Sequence, residues 1–375
     1  MAALRLGMVG GGQGAFIGGV HRIAARLDGQ WDLVAGALSS DAERAHASAA
    51  ELGIAADRSY GSFVEMAQAE AARDDGIDAV AIVTPNHMHA GPAVAFLKAG
   101  IHVICDKPLA ATMEQAQEIA KAAETSGAMF FLTHNYTAYP LIRQARQMVA
   151  DGALGDIRVV QVEYAQDWLT EPASNKQADW RTDPARSGAG GCVGDIGTHA
   201  YNLACFVTGL SAESLAADLQ AFVEGRQVDD NVHVMLRFGG GARGMLWASQ
   251  VAVGNENALR LRVHGTKGGL EWAQENPNQM TFTRFGEPKQ ILTRGGAGAN
   301  AAGVETTRIP PGHPEGYLEG FATLYAEAAG AIRAAKSGNA PATLVPGIGD
   351  GLAGMRFIAG CIESSRDNAA WVSLT

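Results

Sequence analysis

Short apolar runs and helix-like segments alternate along the first third of the chain. The runs occupy residues 4–9, 31–38, 78–84, 101–105 and 129–133. Each is almost continuously apolar, which is the pattern of strands buried on both faces of a sheet. Repeated alternation of such strands with helices predicts an α/β fold with a doubly wound parallel sheet.

Single residues predict where several of these elements begin. Asp41, Ser62, Asn86 and Thr112 each precede a segment with helical spacing, and their side chains can accept hydrogen bonds from the first turn of a helix. We therefore expect them as helix N-caps. Tyr60 marks one further short strand between the second and third helices.

The pattern changes near residue 137. Residues 140–150 have helical spacing, and residues 157–164 alternate between polar and apolar side chains. Alternation of this kind predicts strands with one covered face, in a largely antiparallel sheet. Further strands of this sheet are predicted in three runs, at 231–238, 244–253 and 258–264.

Two domains follow from this change, over residues 1–137 and 138–375, and a chain of 375 residues is long enough for both. Residues 295–314 are rich in Gly, Ala and Pro and predict a loop. Helices are expected over residues 317–335 and 349–364, packed back on either domain.

Composition narrows the class of protein. The chain is 47% hydrophobic and 18% charged with a net charge of −10, which is typical of a globular protein and argues against a nucleic-acid surface. No run is long and apolar enough for a membrane span, and the N-terminus enters a strand without a secretory signal pattern. We therefore expect a cytoplasmic protein.

The four cysteines are scattered along the chain without a Cys-x-x-Cys pair, at Cys105, Cys192, Cys205 and Cys361. In a cytoplasmic protein such cysteines are expected as small apolar residues rather than disulfides or a metal site.

A glycine loop joins the first predicted strand to the first helix. Glycines there let the backbone approach a pyrophosphate at a helix N-terminus, so the loop predicts a dinucleotide site. The loop departs from Gly-x-Gly-x-x-Gly, because residue 15 is alanine and Gly18 comes late. The cofactor contacts predicted in the loop are Gly10, Gly12, Gln13, Gly14, Ala15, Phe16 and Ile17.

The end of the second strand bears on the choice of cofactor. An acid that bonds the ribose 2′-hydroxyl is usual there, whereas this chain has Ser39 and Ser40. Asp41 is also expected as a helix cap. NAD is favoured because no basic residue directly follows for a 2′-phosphate, and NADP stays open.

Polar residues follow the fourth predicted strand in the segment Thr84-Pro85-Asn86-His87-Met88-His89. A loop at the carboxyl edge of the sheet is suited to the ribose and nicotinamide, so Thr84, Pro85, Asn86 and His89 are predicted cofactor contacts. No further donor is spaced to make a metal site with His87 and His89, and no metal is expected.

Lys107 comes directly after the apolar run 101–105, between Asp106 and Pro108. Open α/β sheets bind ligands beyond the carboxyl ends of their strands, which places this lysine where a reacting group is expected.

The second predicted domain contains the motif Gly-Gly-Cys-Val-Gly-Asp195-Ile-Gly-Thr-His199. Asp195 and His199 are four residues apart, so on a helix they share one face. A histidine oriented by a carboxylate can exchange a proton near neutral pH.

Together, four motifs in order resemble the glucose–fructose oxidoreductase / inositol dehydrogenase (Gfo/Idh/MocA) family over nearly the whole chain. They are the Gly10 loop, Thr84-Pro85-Asn86-x-x-His89, Asp106-Lys107-Pro108 and Gly191-x-x-x-Asp195-x-x-x-His199. The resemblance implies a Rossmann domain, a second α/β domain with an open, mainly antiparallel sheet, and dimers or tetramers formed through that sheet.

The resemblance also implies roles for individual residues. Lys107 matches the family lysine that bonds the reacting hydroxyl, His199 matches the acid/base, and Asp195 matches the acid that holds substrate or histidine. Asp106 stands where the family more often has glutamate; with Lys107 and Asn135 it is a predicted cofactor contact. Predicted substrate contacts are Lys107, Tyr136, Arg181, Asp195 and His199.

The activity expected from this resemblance is NAD(P)-dependent oxidation or reduction of a secondary hydroxyl on a cyclic polyol or sugar. The segment 134–136 and the loop 14–18 are similar to the branch that acts on inositols and sugars. Two alternatives stay open. One is a cofactor-binding sensor without turnover. The other is an enzyme that uses the cofactor for epimerisation or glycosidic cleavage.

Overall fold

The computed structural model describes residues 2–172 and 175–375. The chain divides into two compact units. The first unit consists of Met1–Asn135 and Leu318–Leu352, and the second consists of Tyr136–Tyr317 and Ala353–Thr375.

The first unit is built on a five-stranded sheet in the order β2-β1-β3-β4-β5, in which all neighbouring strands are parallel. Every residue of the central strand β3 is buried, as its unbroken apolar run predicted. The predicted doubly wound parallel sheet is confirmed. Its strands are β1 (Leu4–Gly10), β2 (Trp31–Ala37), β3 (Ala79–Val83), β4 (His102–Cys105) and β5 (Phe130–Leu132).

Five helices connect or follow these strands: α1 (Phe16–Leu27), α2 (Ala42–Glu51), α3 (Phe63–Ala71), α4 (Ala90–Lys98) and α5 (Met113–Ser126). The predicted caps Asp41, Ser62 and Thr112 are confirmed, because each side chain accepts a hydrogen bond from a backbone N–H of its helix's first turn.

Two local predictions in this unit are wrong. Asn86 does not cap α4, because a 3₁₀ turn over Asn86–Met88 comes first and His89 is the N-cap. Tyr60 does not form a strand. The segment forms no more than an isolated bridge between Ser59 and Gly36 of β2, in which the Tyr60 N–H donates to the Gly36 carbonyl at 2.9 Å. The Tyr60 side chain is buried, and its hydroxyl donates a hydrogen bond to Glu70.

The second unit contains a nine-stranded sheet in the order β13-β12-β11-β10-β6-β9-β8-β7-β14. Only β6 and β9 are parallel, so the predicted mainly antiparallel sheet is confirmed. Its strands are β6 (Ile157–Ala165), β7 (Ala212–Gln220), β8 (Asn231–Phe238), β9 (Arg243–Ser249), β10 (Ala258–Gly265), β11 (Gly268–Ala273), β12 (Gln279–Arg284), β13 (Gln290–Thr293) and β14 (Val372–Ser373).

One face of this sheet is covered, because buried and exposed residues alternate along β8. The remaining helices are α6 (Pro140–Ala150), α7 (Lys176–Arg181), α8 (Pro184–Ser187), α9 (Thr198–Thr208), α10 (Ala301–Glu305), α11 (Tyr317–Lys336) and α12 (Ile348–Arg366). Of these, α9 packs on β6 and β10. The short helix α10 interrupts the predicted loop 295–314.

Across residues 2–172 and 175–375, no helix is long and apolar enough to cross a membrane. All four cysteines are free thiols, and Cys105, Cys192 and Cys361 are buried. Burial raises the pKa of these three thiols well above the ordinary value, which fits the expected role as small apolar residues.

Candidate active site

The glycine loop of the first unit brings helix α1 very close to strand β1. Gly11 has a φ of 72°, in the left-handed region that favours glycine. A Cβ atom on Gly18 would lie 2.4 Å from the Cα of Gly11. Gly18 therefore supplies the close helix–strand packing that a dinucleotide fingerprint requires, although it comes later than in the usual spacing. Neither glycine was among the predicted contacts.

The loop borders a cavity of about 480 Å³. The cap residue of α1 is Ala15, and no side chain caps the first turn of this helix, so its N–H groups are available to an anion. Arg22 also reaches the cavity and donates to the Gly11 carbonyl at 2.7 Å. This donor set fits a pyrophosphate. Predicted contacts that line the cavity are Gly12, Gln13, Gly14, Ala15 and Phe16.

The other two predicted loop contacts flank this cavity. Gly10 is the last residue of β1, with a φ of 79°, and Ile17 is the second residue of α1.

The serines after β2 have local partners. Ser39 Oγ accepts a hydrogen bond from the Asp41 N–H at 3.1 Å, whereas Ser40 is exposed. The Asp41 carboxylate accepts from the Arg44 N–H at 2.8 Å, which makes it a helix cap. Exposed Arg44 stands in the first turn of α2. This edge offers hydroxyls and a cation, so it suits either a ribose hydroxyl or a phosphate.

His89 ties together the two loops that follow β3 and β4. It is completely buried; its Nδ1 lies 2.8 Å from the Pro108 carbonyl and its Nε2 lies 3.0 Å from the Thr84 carbonyl. Thr84 Oγ1 donates to the Met88 carbonyl at 3.1 Å. Contact of His89 with the cofactor stays a prediction; in the structure its two ring nitrogens link the loop of Thr84 to the loop that carries Lys107. Asn86 is also buried, next to Pro85.

Asp106 anchors the same loop to the end of β5. Its Oδ1 accepts hydrogen bonds from the Thr133 hydroxyl at 2.8 Å and from the Lys107 N–H at 3.2 Å. Burial, with a smaller contribution from the positive charge of Lys107, lowers the pKa of His134 to about 3. Neighbouring Asn135 is buried, and its Nδ2 has no hydrogen-bond partner within the described residues. Such an orphaned donor fits a polar group of a bound cofactor.

In the second unit a π-helical turn, Val193–Gly197, carries Asp195 into helix α9, where His199 is the second residue. Such turns occur often at functional sites. Buried Asp229 holds the glycine run before it, since its two carboxylate oxygens accept the N–H groups of Gly191 and Val193, each at 2.7 Å. Burial raises the pKa of Asp229 to about 6.

Two donors orient the Asp195 carboxylate. Its Oδ2 accepts from Arg181 Nε at 3.1 Å and from Gln250 Nε2 at 2.9 Å. The Arg181 guanidinium also lies over the ring of Trp180, 4.3 Å from its centre. Contact of Arg181 with ring hydroxyls of a substrate stays a prediction; in the structure its Nε donates to Asp195.

His199 lies against two tyrosines. The ring centres of Tyr136 and Tyr164 are 4.9 Å and 6.3 Å from that of His199. The two phenol oxygens are 2.6 Å apart, and Tyr164 donates to Asn257 Oδ1 at 2.8 Å. Burial raises the pKa of both phenols, so they act as neutral hydrogen-bonding groups.

Four residues around Asp195 and His199 were not predicted from the sequence: Tyr164, Asp229, Gln250 and Asn257. They lie on or beside β6, β8, β9 and β10, far apart in the chain, and only the pairing of these strands brings them to His199 and Asp195. Tyr164 gave one usable signal, because it occupies a buried position in the alternating pattern of β6.

No three His, Cys, Asp or Glu side chains come together as metal ligands anywhere in the described ranges. His89 in particular is occupied by two carbonyls.

Comparison with known protein families agrees with this arrangement. A model described as an oxidoreductase family with an NAD-binding Rossmann fold matches residues 4–134. A model of the GFO/IDH/MocA C-terminal domain matches residues 142–271. The chain belongs to the Gfo/Idh/MocA oxidoreductase family. Its first unit is an NAD-binding Rossmann domain, and the resemblance inferred from the four motifs is confirmed.

Several known proteins are similar to this chain over most of their length. An oxidoreductase from Sinorhizobium meliloti is 56% identical, with a TM-score of 0.91 over 99% of this chain and 100% of that chain. An inositol dehydrogenase homolog from Azotobacter vinelandii, solved with NAD+, is 36% identical, with a TM-score of 0.94 over 99% and 97%. Levoglucosan dehydrogenase from Pseudarthrobacter phenanthrenivorans is 30% identical over 84% of this chain and 83% of its own length.

Proposed function

We propose that this protein oxidises or reduces a secondary hydroxyl of a cyclic polyol or sugar, an inositol or a pyranose, with NAD as the redox partner. The observation that carries the proposal is His199, which packs against the rings of two tyrosines and lies one helical turn beyond an oriented Asp195. The hydroxyl groups of these tyrosines are hydrogen-bonded to each other. A site with this many hydrogen-bonding groups suits a substrate with several hydroxyls. The A. vinelandii homolog has also been solved with NADH and myo-inositol, at 35% identity to this chain.

Residues of the first unit bind and orient the cofactor in this proposal. The glycine loop and the N-terminus of α1 hold the pyrophosphate, and Asn135 offers an amide donor. When bound, NAD supplies the hydride acceptor for oxidation. Lys107 supplies a positive charge that stabilises the negative charge developing on the substrate oxygen.

Residues of the second unit handle the proton. His199 takes the proton of the reacting hydroxyl during oxidation and returns it during reduction. Asp195 holds the substrate or His199 in position, because Arg181 and Gln250 fix its own carboxylate. Tyr164 donates its proton to Asn257, so the Tyr136 O–H donates to Tyr164. Tyr136 is therefore an acceptor for a substrate hydroxyl.

We also infer that the exposed face of the nine-stranded sheet joins copies of the chain into a dimer or tetramer. Apolar side chains on this face include Met235 and Met245, which are paired across β8 and β9 and are 54% and 51% exposed. Exposed apolar patches of this kind mark interfaces. A Met245→Lys variant should have a lower mass by light scattering than the wild-type protein, and an unchanged mass would contradict this inference.

The enzymatic proposal is tested by mixing the purified protein and NAD with a panel of inositols, aldoses and anhydrosugars while following reduced nicotinamide. Accumulation of NADH with at least one ring polyol is expected. Binding of NAD without turnover on any of them, or in the reverse direction with keto-sugars and NADH, would contradict the proposal and favour a sensor. Conversion of a sugar without net NADH would instead favour epimerisation or glycosidic cleavage.

A further inference from the structure

A buried histidine lies behind the loop that carries Lys107. His21, on helix α1, is 0% exposed, and its ring packs 4.9 Å from the ring of Phe321. Its Nδ1 is 2.9 Å from the hydroxyl of Tyr325, and its Nε2 is 3.9 Å from Oδ1 of Asp106. These residues all belong to the first unit. None of the roles proposed above uses His21 or Tyr325.

The hydrogen-bond partners determine which nitrogen of His21 carries the proton. Burial lowers the pKa of His21 and, with a smaller effect of Asp106, raises that of Tyr325, so both groups are neutral. A neutral imidazole has one N–H. When the Tyr325 hydroxyl donates to Nδ1, the proton of His21 lies on Nε2, the nitrogen nearer to Asp106.

This Nε2 lacks a hydrogen-bond partner among the described residues, and 3.9 Å is about 1 Å longer than a hydrogen bond. A buried donor therefore stands close to a carboxylate without bonding it. The oxygen in question, Oδ1 of Asp106, is the one that accepts the Lys107 N–H and the Thr133 hydroxyl. Because this oxygen accepts the Lys107 N–H, an interaction that holds the oxygen in place also holds the backbone of Lys107.

We propose that His21 is a positioning residue that restrains the Asp106 carboxylate through its Nε2–H and thereby fixes the loop that carries Lys107. Tyr325 is the second member of the arrangement, since its hydroxyl keeps the proton on Nε2. This inference rests on the proposed function, in which Lys107 stabilises charge on the reacting oxygen.

Substitutions at His21 separate this role from simple packing. The amide nitrogen of glutamine reaches the position of Nε2, whereas that of asparagine reaches only the position of Nδ1. We expect His21→Asn to lower kcat about 10- to 100-fold, as small misplacements of reacting groups do, with KM for NAD within about threefold of wild type. His21→Gln should recover most of kcat.

A matched control is His102→Asn. His102 begins β4, the strand that ends next to Asp106, and its Nδ1 accepts the Met129 N–H at 2.9 Å. We expect His102→Asn to lower Tm at most and to leave kcat unchanged. Tyr325→Phe keeps the ring and removes only the hydroxyl, so it tests the arrangement if His21→Asn fails to fold. Its kcat should fall about 3- to 10-fold, the equivalent of one net hydrogen bond.

Measuring Lys107→Met in parallel distinguishes a failure of the proposed function from a failure of the role of His21. Full turnover by Lys107→Met would overturn the proposed function. An inactive Lys107→Met variant together with a fully active His21→Asn variant would overturn the role of His21 alone. Equal losses in His21→Asn and His21→Gln would also overturn it, because packing and not the Nε2 donor would then be responsible.

Discussion

Arg181 and Asp195 form an ion pair in which Nε of the arginine lies 3.1 Å from Oδ2 of the carboxylate. The two side chains are 24% and 17% exposed, so water screens the pair only in part. Arg181 comes from the short helix α7 and Asp195 from the π-helical turn. The pair therefore joins two helical elements across 14 residues of the chain, and it fixes the acid that stands one turn before His199.

Replacing Arg181 tests whether it holds Asp195 or binds substrate. We expect Arg181→Met to lower kcat about 10- to 100-fold, the equivalent of losing a hydrogen bond to a charged group. A direct substrate contact would instead raise KM and leave kcat intact. Steady-state kinetics decide between the two. Arg186→Met is the control, because Arg186 pairs with exposed Asp179 and half-exposed Asp183.

The glycine loop offers a pair of neighbouring substitutions with opposite expectations. Gly18→Ala would place a Cβ 2.4 Å from the Gly11 Cα, so it should displace the loop and weaken NAD binding by at least about tenfold. Gly19→Ala meets nothing closer than Arg22 at 3.9 Å. It should leave NAD affinity unchanged and stabilise α1 by about 0.5–1 kcal/mol. Calorimetric titration with NAD checks both; equal affinities would contradict the packing role of Gly18.

The raised pKa of Asp229 should make the stability of the protein depend on pH. Its pKa in the folded protein, about 6, lies above the ordinary value of 3.8, so the native state binds the proton more tightly than the unfolded chain does. Its contribution to stability is therefore fully present below pH 3.8 and is lost as pH rises through about 6, by up to about 3 kcal/mol.

An Asp229→Asn variant removes this contribution. The difference in unfolding free energy between wild type and variant should decrease between about pH 4 and pH 7, as measured by denaturant titration at each pH. Asp218→Asn, at an exposed position on β7, is the control for the loss of one carboxylate. A difference for Asp229→Asn that does not change with pH would contradict the buried, raised pKa.

Tyr164 should matter through its hydroxyl. Tyr164→Phe keeps the ring beside His199 but removes the partner of Tyr136 and Asn257. We expect kcat/KM for the polyol to fall about 3- to 10-fold. Tyr201→Phe is the control: Tyr201 is on the same helix as His199, but its ring stacks on Phe357 at 4.3 Å, so this variant should retain wild-type kinetics. Equal effects in both variants would indicate a loss of packing and not of the hydrogen bond.

The sequence predicted much of the fold because its signals are local. The apolar runs of β1 to β5 and the caps Asp41, Ser62 and Thr112 depend on neighbouring residues alone. Strands β7 and β11 to β14 escaped prediction because they are short or mix small and polar residues, and only pairing with neighbours stabilises them.

For the candidate site too, the sequence predicted the residues with local signals but not the partners that orient them. Motif residues such as Lys107 and His199 stand out in the chain, whereas the partners that orient them come from distant strands and loops. Gln250 reaches Asp195 across 55 residues, and His21 approaches Asp106 from helix α1. The role of Arg181 also depended on the fold, because its bond to Asp195 spans two helical elements that no periodic pattern links.

The rate of hydride transfer in a single turnover of a His199→Asn variant, with saturating NAD and the best ring polyol, tests whether His199 is the acid/base. We expect a rate at least about 100-fold below wild type, since His199 removes the hydroxyl proton, with NAD affinity unchanged. A rate within about threefold of wild type would contradict the assignment of His199 as the acid/base.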